Sequence, residues 1–355
     1  MQAPDMTERY EACMVLAGAG DALGFGPGGN WEVFRSASAI LHNLESFGGL
    51  ENLIIRGWMV SDDTVMHIAT AEALLLTRHS PRRDTIFEKL SEKYTQCCAT
   101  NMSGRSPGKR CMRTMLLVQR GQMKYNQIPY NPQGGGCGGA MRAMCIGLLY
   151  PGESRRDQLI EVAIESGRMT HNHPTGFLGA LVAALFAAYA IEGVPLGEWG
   201  RRMLALLPRV YAWLERSGRN WREYSADGGR ELHAFGAKWA AYLTLRHLAD
   251  PGQTEPVFPE PFDFRERDEF YASLACGHVG GASGHDATII AYDALLGCQG
   301  NWDELVRRAC IHGGDSDSTG TIAAHYEGIE YEGKLRSLGR QLYRAATPPT
   351  ASSNE

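Results

Sequence analysis

The sequence has no excess of positive charge. Its 355 residues carry 35 Lys and Arg against 40 Asp and Glu, a net charge of -5. Sequence-independent binding of nucleic acid usually needs a basic face, so nucleic acid is not an expected partner. No Cys-x-x-Cys pair occurs among the nine cysteines. That removes a zinc ribbon and a thioredoxin-like motif, and leaves reduced thiols in a cytoplasmic protein as the expectation. The longest uncharged apolar run, Gly176 to Ile191, has 16 residues and includes two glycines. It is short for a membrane span and fits a helix buried in a core, so no membrane is expected either. The opening "MQAPDMTERYEACMV" lacks a basic stretch followed by an apolar one, so no secretory signal is expected. Convincing strand alternation is also missing.

Helical spacing, by contrast, recurs along the chain. It predicts helices over "YEACMVLAGAGDALG", "DDTVMHIATAEALLLTRH", "RRDTIFEKLSEKYTQCC", "RDQLIEVAIESGRM", "TGFLGALVAALFAAYA" and "LGEWGRRMLALLPRVYAWLERS". Four more fall on "ELHAFGAKWAAYLTLRHL", "RERDEFYASLAC", "DATIIAYDALLGC" and "NWDELVRRACIH". The fold class is therefore all-α. Gly- and Pro-rich connections interrupt the series, but none is long enough for a linker. One compact domain over 1–346 is expected, with a disordered tail, "TPPTASSNE", over 347–355. No coiled-coil pattern is present, and a monomer is the default.

Two acidic clusters stand out. "SDDT" places Ser61, Asp62 and Asp63 ahead of one apolar helix, and "GGDSDSTG" places Asp315, Asp317 and Ser318 ahead of another. Acids and hydroxyls at a helix start satisfy free N–H groups and suit the helix dipole, so capping explains each cluster alone. Hard oxygen donors from two remote turns also suit Mg²⁺, provided the turns meet in space.

A third feature is "NPQGGGCGGAMRA", with five glycines in six positions around Cys137. It reads either as a flexible connector or as a loop whose N–H groups approach a diphosphate. "THNHPTG" sets His171 and His173 two apart, with no third ligand at zinc-site spacing. "GGASGHDA" reads as a loop with an N-cap at Ser283, Gly284 and His285, and Asp286 opening a helix.

Taken in order, "GDALG", "WMVSDDTVMHIATAEAL", "GGCGGAMRAMCIGL", "ESGRMTHNHPTGFLGAL", "SGHDATIIAYDALL" and "GGDSDSTG" resemble the ADP-ribosylglycohydrolase family, and within it the branch of vertebrate ADP-ribosylarginine hydrolases. The likeness runs from about Tyr10 to Ala324. It implies a compact all-α fold with two Mg²⁺ ions in a cleft, held by Ser61, Asp62, Asp63, Asp315, Asp317 and Ser318. It implies a hydrolase that removes ADP-ribose from arginine side chains of mono-ADP-ribosylated proteins. Asp62 and Asp63 would combine metal binding with water activation, and Glu32 is a further active-site acid by the same carry-over, against a plain solvated glutamate. Gly135, Gly136, Cys137, Gly138 and Met141 become ADP-ribose contacts, joined by His171, His173, Ser283, Gly284 and His285. "SGRSPGK" forms another wall of the cleft, and Asp21 is a structural acid. The alternatives are a hydrolase of serine-linked ADP-ribose or O-acetyl-ADP-ribose, and a non-catalytic ADP-ribose binder.

The pattern breaks after Ala324. Relatives continue a long apolar helix there, whereas this chain passes to "HYEGIEYEGKLRSLGRQLYRAA", where Leu335, Leu338 and Leu342 form a helical stripe. The expectation is a missing segment, weaker support for the turn carrying Asp317, and lowered stability.

Overall fold

The computed structural model describes residues 6–32, 36–80, 82–277 and 279–330. The stripe at Leu335, Leu338 and Leu342 and the tail lie outside them. The described residues form fifteen α-helices. The first eight are α1 Met6–Phe25, α2 Ala37–Ser46, α3 Asp62–Thr77, α4 Arg83–Thr100, α5 Lys109–Gln119, α6 Met144–Leu149, α7 Arg156–Arg168 and α8 Pro174–Ile191. There follow α9 Trp199–Ser217, α10 Trp221–Tyr224, α11 Ala226–Leu245, α12 Phe264–Leu274, α13 Gly284–Cys298, α14 Trp302–Ala309 and α15 Ser316–Glu330. No strand occurs among the described residues; one isolated bridge joins Gly136 to Ser283.

The apolar run predicted as a core helix is α8. Pro174 opens it, where a missing N–H costs nothing, and the His173 ring caps it by accepting from Thr175 N at 3.1 Å. It is the one helix among the described residues long and apolar enough to cross a membrane, and 89% of that window is buried by protein. Phe186 shows why. Its ring lies 5.4 Å from Trp199, 5.4 Å from Trp239 and 5.2 Å from Tyr292. Each such aromatic pair contributes about 0.5–1.5 kcal/mol beyond its area.

Helices α1 and α15 pack against each other with almost no side chain between them. A Cβ on Gly20 would stand 2.3 Å from the Gly320 carbonyl oxygen, and one on Gly24 would stand 2.1 Å from that of Ser316. Only glycine permits this approach. The approach sets the α15 start directly against the "GDALG" turn of α1.

Helix α15 also bears on the expected weakness after Ala324. It runs through that residue without a break to Glu330, and His325, Tyr326 and Glu327 are buried. Tyr326 donates to Ala183 O of α8 at 3.1 Å. In the structure the acidic turn therefore rests on a helix of 15 residues anchored in the core.

Candidate active site

The first acidic turn is built from α1. Asp21 is fully buried, and its carboxylate accepts from Ser61 N at 2.9 Å, from Thr64 N at 2.9 Å and from the Thr64 hydroxyl. A carboxylate from a distant helix thus satisfies N–H groups at the start of α3, a bracing contact for Asp21. Ser61 is the N-cap, accepting from Asp63 N at 3.1 Å. Asp62 N donates to Arg105 O at 3.0 Å. With N–H groups so occupied, the carboxylates of Asp62 and Asp63 are left to face inward, only 7% and 2% exposed.

The second turn is hung on backbone carbonyls. Ser316 Oγ donates to Gly24 O at 2.9 Å, and Asp315 N donates to Gly280 O at 2.8 Å. Asp317 accepts from Ser318 N at 3.0 Å. The Cys137 thiol donates to Asp315 Oδ2 at 3.2 Å, and the Ser318 hydroxyl lies 3.6 Å from the same sulfur.

The two turns meet. Ser318 of the second turn lies close enough to Asp63 of the first to pull its carboxyl down against the larger rise from burial. Burial raises the carboxyls of Asp62, Asp63 and Asp317 well above the ordinary range, and the acids push one another further up. Asp315 acts on all three, Asp63 on Asp317, and Glu32 on Asp62 and Asp317. Burial, then Asp315, raises Glu32 to about 7, and one of its buried oxygens has no partner. Asp63 Oδ2 is likewise buried without a partner.

Magnitudes separate capping from a second role. An N-cap or dipole contact stabilises a carboxylate by about 0.3–2 kcal/mol. Removing an ionised carboxylate from water costs several kcal/mol, and here four or five acids crowd together. Capping does not offset that, whereas a divalent cation would, and the donors are the oxygen type such a cation prefers. Among the described residues, however, no three His, Cys, Asp or Glu side chains converge as a finished metal shell. The acids are gathered into one chamber rather than closed on one point.

The Gly-rich loop flanks this chamber. Gly138 and Gly136 press on the His171 ring, where a Cβ would come within 2.5 Å and 3.3 Å, and Gly135 lies against His173. Gly284 N donates to Gly135 O at 3.0 Å and Cys137 N to Ala282 O at 3.1 Å, so the Ser283–His285 loop is sewn to the Gly-rich loop. Cys137 therefore offers its thiol to the acids while its N–H is committed elsewhere. Met141 is buried in the main core. Burial lowers His171 to about 3 and, with Lys238, His285 to about 4, so both rings are neutral at neutral pH. His171 Nδ1 is 2.7 Å from Thr170 Oγ1, and His173 stacks on Tyr130. The segment "SGRSPGK" contributes Arg105, whose carbonyl accepts from Asp62 N, and Ser106, which lies close enough to Glu32 to pull its carboxyl down against the rise from burial.

Two neighbours were not named for the site by sequence analysis. Asp286 is read there only as a helix opener. It accepts from Ser283 N at 2.8 Å, yet its Oδ2 is buried without a partner and burial, assisted by Asp315, raises it to about 7. Cys111 of α5 lies close enough to Asp62 to act on its charge. Nothing in the local sequence around Cys111 signals this.

Comparison with known proteins bears on the family. The family model described as ADP-ribosylglycohydrolase matches residues 2–333. The chain is 37% identical to ADP-ribosylhydrolase ARH1 of Dictyostelium discoideum, over 94% of this chain and 93% of that protein. It is 28% identical to the putative ADP-ribosyl glycohydrolase L444 of Acanthamoeba polyphaga mimivirus, over 89% of this chain and 62% of that one. A solved structure titled ADP-ribosylglycohydrolase-related protein complex shares the fold, with a TM-score of 0.54, 19% identity, and coverage of 96% of this chain and 98% of that one. The opposed acidic turns, the glycine loop between them and the match over nearly the whole length lead to one assignment: the chain belongs to the ADP-ribosylglycohydrolase family.

Proposed function

We propose that the protein hydrolyses the bond between ADP-ribose and arginine side chains of mono-ADP-ribosylated proteins, with Mg²⁺ as cofactor. The observation that carries this reading is the meeting of Asp62 and Asp63 with Asp315 and Asp317 at one junction, three of the four buried, whose charges repel. Ser61, Asp62, Asp63, Asp315, Asp317 and Ser318 would hold two Mg²⁺ ions. Mg²⁺ held there would supply Lewis-acid chemistry, orienting ribose hydroxyls and making a nearby water more acidic.

The protein's own groups supply the rest. Cleavage of an N-glycosidic bond places positive charge on the ribose, and the ring of carboxylates stabilises it. Glu32, beside the acidic turns with one buried oxygen unpartnered, is suited to take a proton from water and return it to the leaving guanidine. The neutral rings of His171 and His173 and the Gly135–Gly138 stretch border the path of the ADP-ribose. The family match and the 37% identical relative named an ADP-ribosylhydrolase support the class of reaction.

The test is release of free ADP-ribose from arginine-linked and serine-linked peptides and from O-acetyl-ADP-ribose, with and without Mg²⁺. Release from the arginine peptide alone, lost on chelation, is the expected result. Release from either of the other substrates instead moves the assignment to that linkage. Calorimetric binding of ADP-ribose with no release from any substrate makes the protein a binder.

A further inference from the structure

Arg142, at the end of the Gly-rich stretch, is fully buried. Its guanidinium carbon lies 4.3 Å from the centre of the Tyr94 ring, which holds the planar fork in place. Among the described residues Nε and Nη1 have no partner, while Nη2 donates to Ser166 O at 2.7 Å and to Thr170 Oγ1 at 2.8 Å. Thr170 Oγ1 lies in turn 2.7 Å from His171 Nδ1. Arginine has no acceptor, so the Thr170 hydroxyl takes a hydrogen from Arg142 and must place its own elsewhere. His171 Nδ1 is its one other partner among the described residues. Were Nδ1 the donor, the hydroxyl hydrogen would be stranded in the core. The hydroxyl therefore donates, Nδ1 accepts, and the ring proton sits on Nε2. Burial, aided by Arg142, keeps the ring from taking a second proton at neutral pH. Nε2 makes no hydrogen bond among the described residues. Two glycines leave that edge of the ring open: a Cβ would stand 3.0 Å from Nε2 at Gly138 and 3.3 Å from it at Gly136.

We propose that Arg142 and Thr170 are positioning residues, which hold His171 in its Nε2–H form so that the ring meets bound ADP-ribose as a donor and never as an acceptor. The identity of the ligand rests on the function proposed above; the tautomer does not. An N–H at this place takes a ribose or phosphate oxygen and turns away a second donor, so the arginine and the threonine set which part of the ligand can lie against the glycines. No proton moves in this arrangement, and the ring takes no part in breaking the glycosidic bond. The same chain gives the buried arginine a purpose that core packing does not, since two of its nitrogens find no partner there.

The experiment records the imidazole nitrogen NMR spectrum of the full chain, isotope-labelled at histidine, at neutral pH. His171 is identified by its loss in His171→Gln. A protonated Nε2 with an unprotonated Nδ1 is expected; a protonated Nδ1, or a mixture of the two forms, overturns the proposal. In Arg142→Met the Thr170 hydroxyl is free to accept, so the Nδ1–H form should appear. An unchanged ring in folded Arg142→Met overturns the role of the arginine. Calorimetry with ADP-ribose gives the second readout. Thr170→Val should weaken binding about tenfold, and Thr170→Ser should keep the parent affinity. Parent affinity in folded Thr170→Val overturns the link to the ligand. A parent protein that binds no ADP-ribose counts against the proposed function instead, and the nitrogen spectrum still decides the tautomer.

Discussion

The turn at Ser61–Thr64 hangs from a side chain, whereas the turn at Asp315–Ser318 hangs from backbone carbonyls. Asp21 holds the first through the N–H groups of Ser61 and Thr64. Gly24 O and Gly280 O hold the second through the Ser316 hydroxyl and the Asp315 N–H. Both braces trace to "GDALG" in α1, whose acid serves one turn and whose glycines admit the other. One helix therefore sets the spacing of the opposed carboxylates, and the two turns should fail differently when it is altered.

The largest effect is expected where the turns are equivalent. Asp62→Asn and Asp317→Asn should each lower ADP-ribose release at least about a thousandfold, since each removes an anionic donor from a shared chamber. Circular dichroism should show the helix content of both unchanged. Tenfold residual activity differing between the two would mean that one turn alone does the chemistry.

Asp21→Ala comes next and separates the braces. It orphans the buried N–H groups of Ser61 and Thr64, at about 1–3 kcal/mol each, and so should depress the urea midpoint strongly. Gly24→Ala strains only the second turn, because the added Cβ meets Ser316 O at 2.1 Å. Its cost should be about 1–3 kcal/mol by the same urea titration. A larger loss in Gly24→Ala than in Asp21→Ala would reverse the ranking of the two braces.

The smallest effect concerns pH. Glu32 rises from an ordinary 4.5 to about 7 on folding, so the folded chain keeps a proton that the unfolded chain releases. Its contribution to metal-free stability is complete below about 4.5 and is lost as pH rises through about 7. Glu32→Gln should therefore gain stability relative to the parent protein between those values, as read from melting temperature without metal. A difference that stays flat across that window would remove Glu32 from the crowded acids.

These contrasts also explain what could be read in advance. Local pattern exposed both acidic turns, because "SDDT" and "DSDS" announce helix starts, and it exposed α8, because its apolar run is continuous. It missed α2, α5, α6 and α10. Helix α5 is short and follows the Gly- and Pro-rich "SGRSPGK", and α2 follows "GFGPGGN", so both were absorbed into the connections. Long-range relations were illegible for a different reason. No spacing rule tells that Asp21 caps α3, that Asp286 faces Asp315, or that Cys111 borders Asp62, because each depends on how helices pack. The resemblance carried Glu32 and the Gly-rich loop to the chamber where spacing alone left them ambiguous.

The pairing of α1 with α15 has a bearing on synthesis. Ser316 and Gly24 are 292 positions apart, so during synthesis α1 waits for α15, the last described helix. At about 5–20 residues per second that interval is roughly 15–60 s. During it the glycine-lined flank of α1 has no native mate.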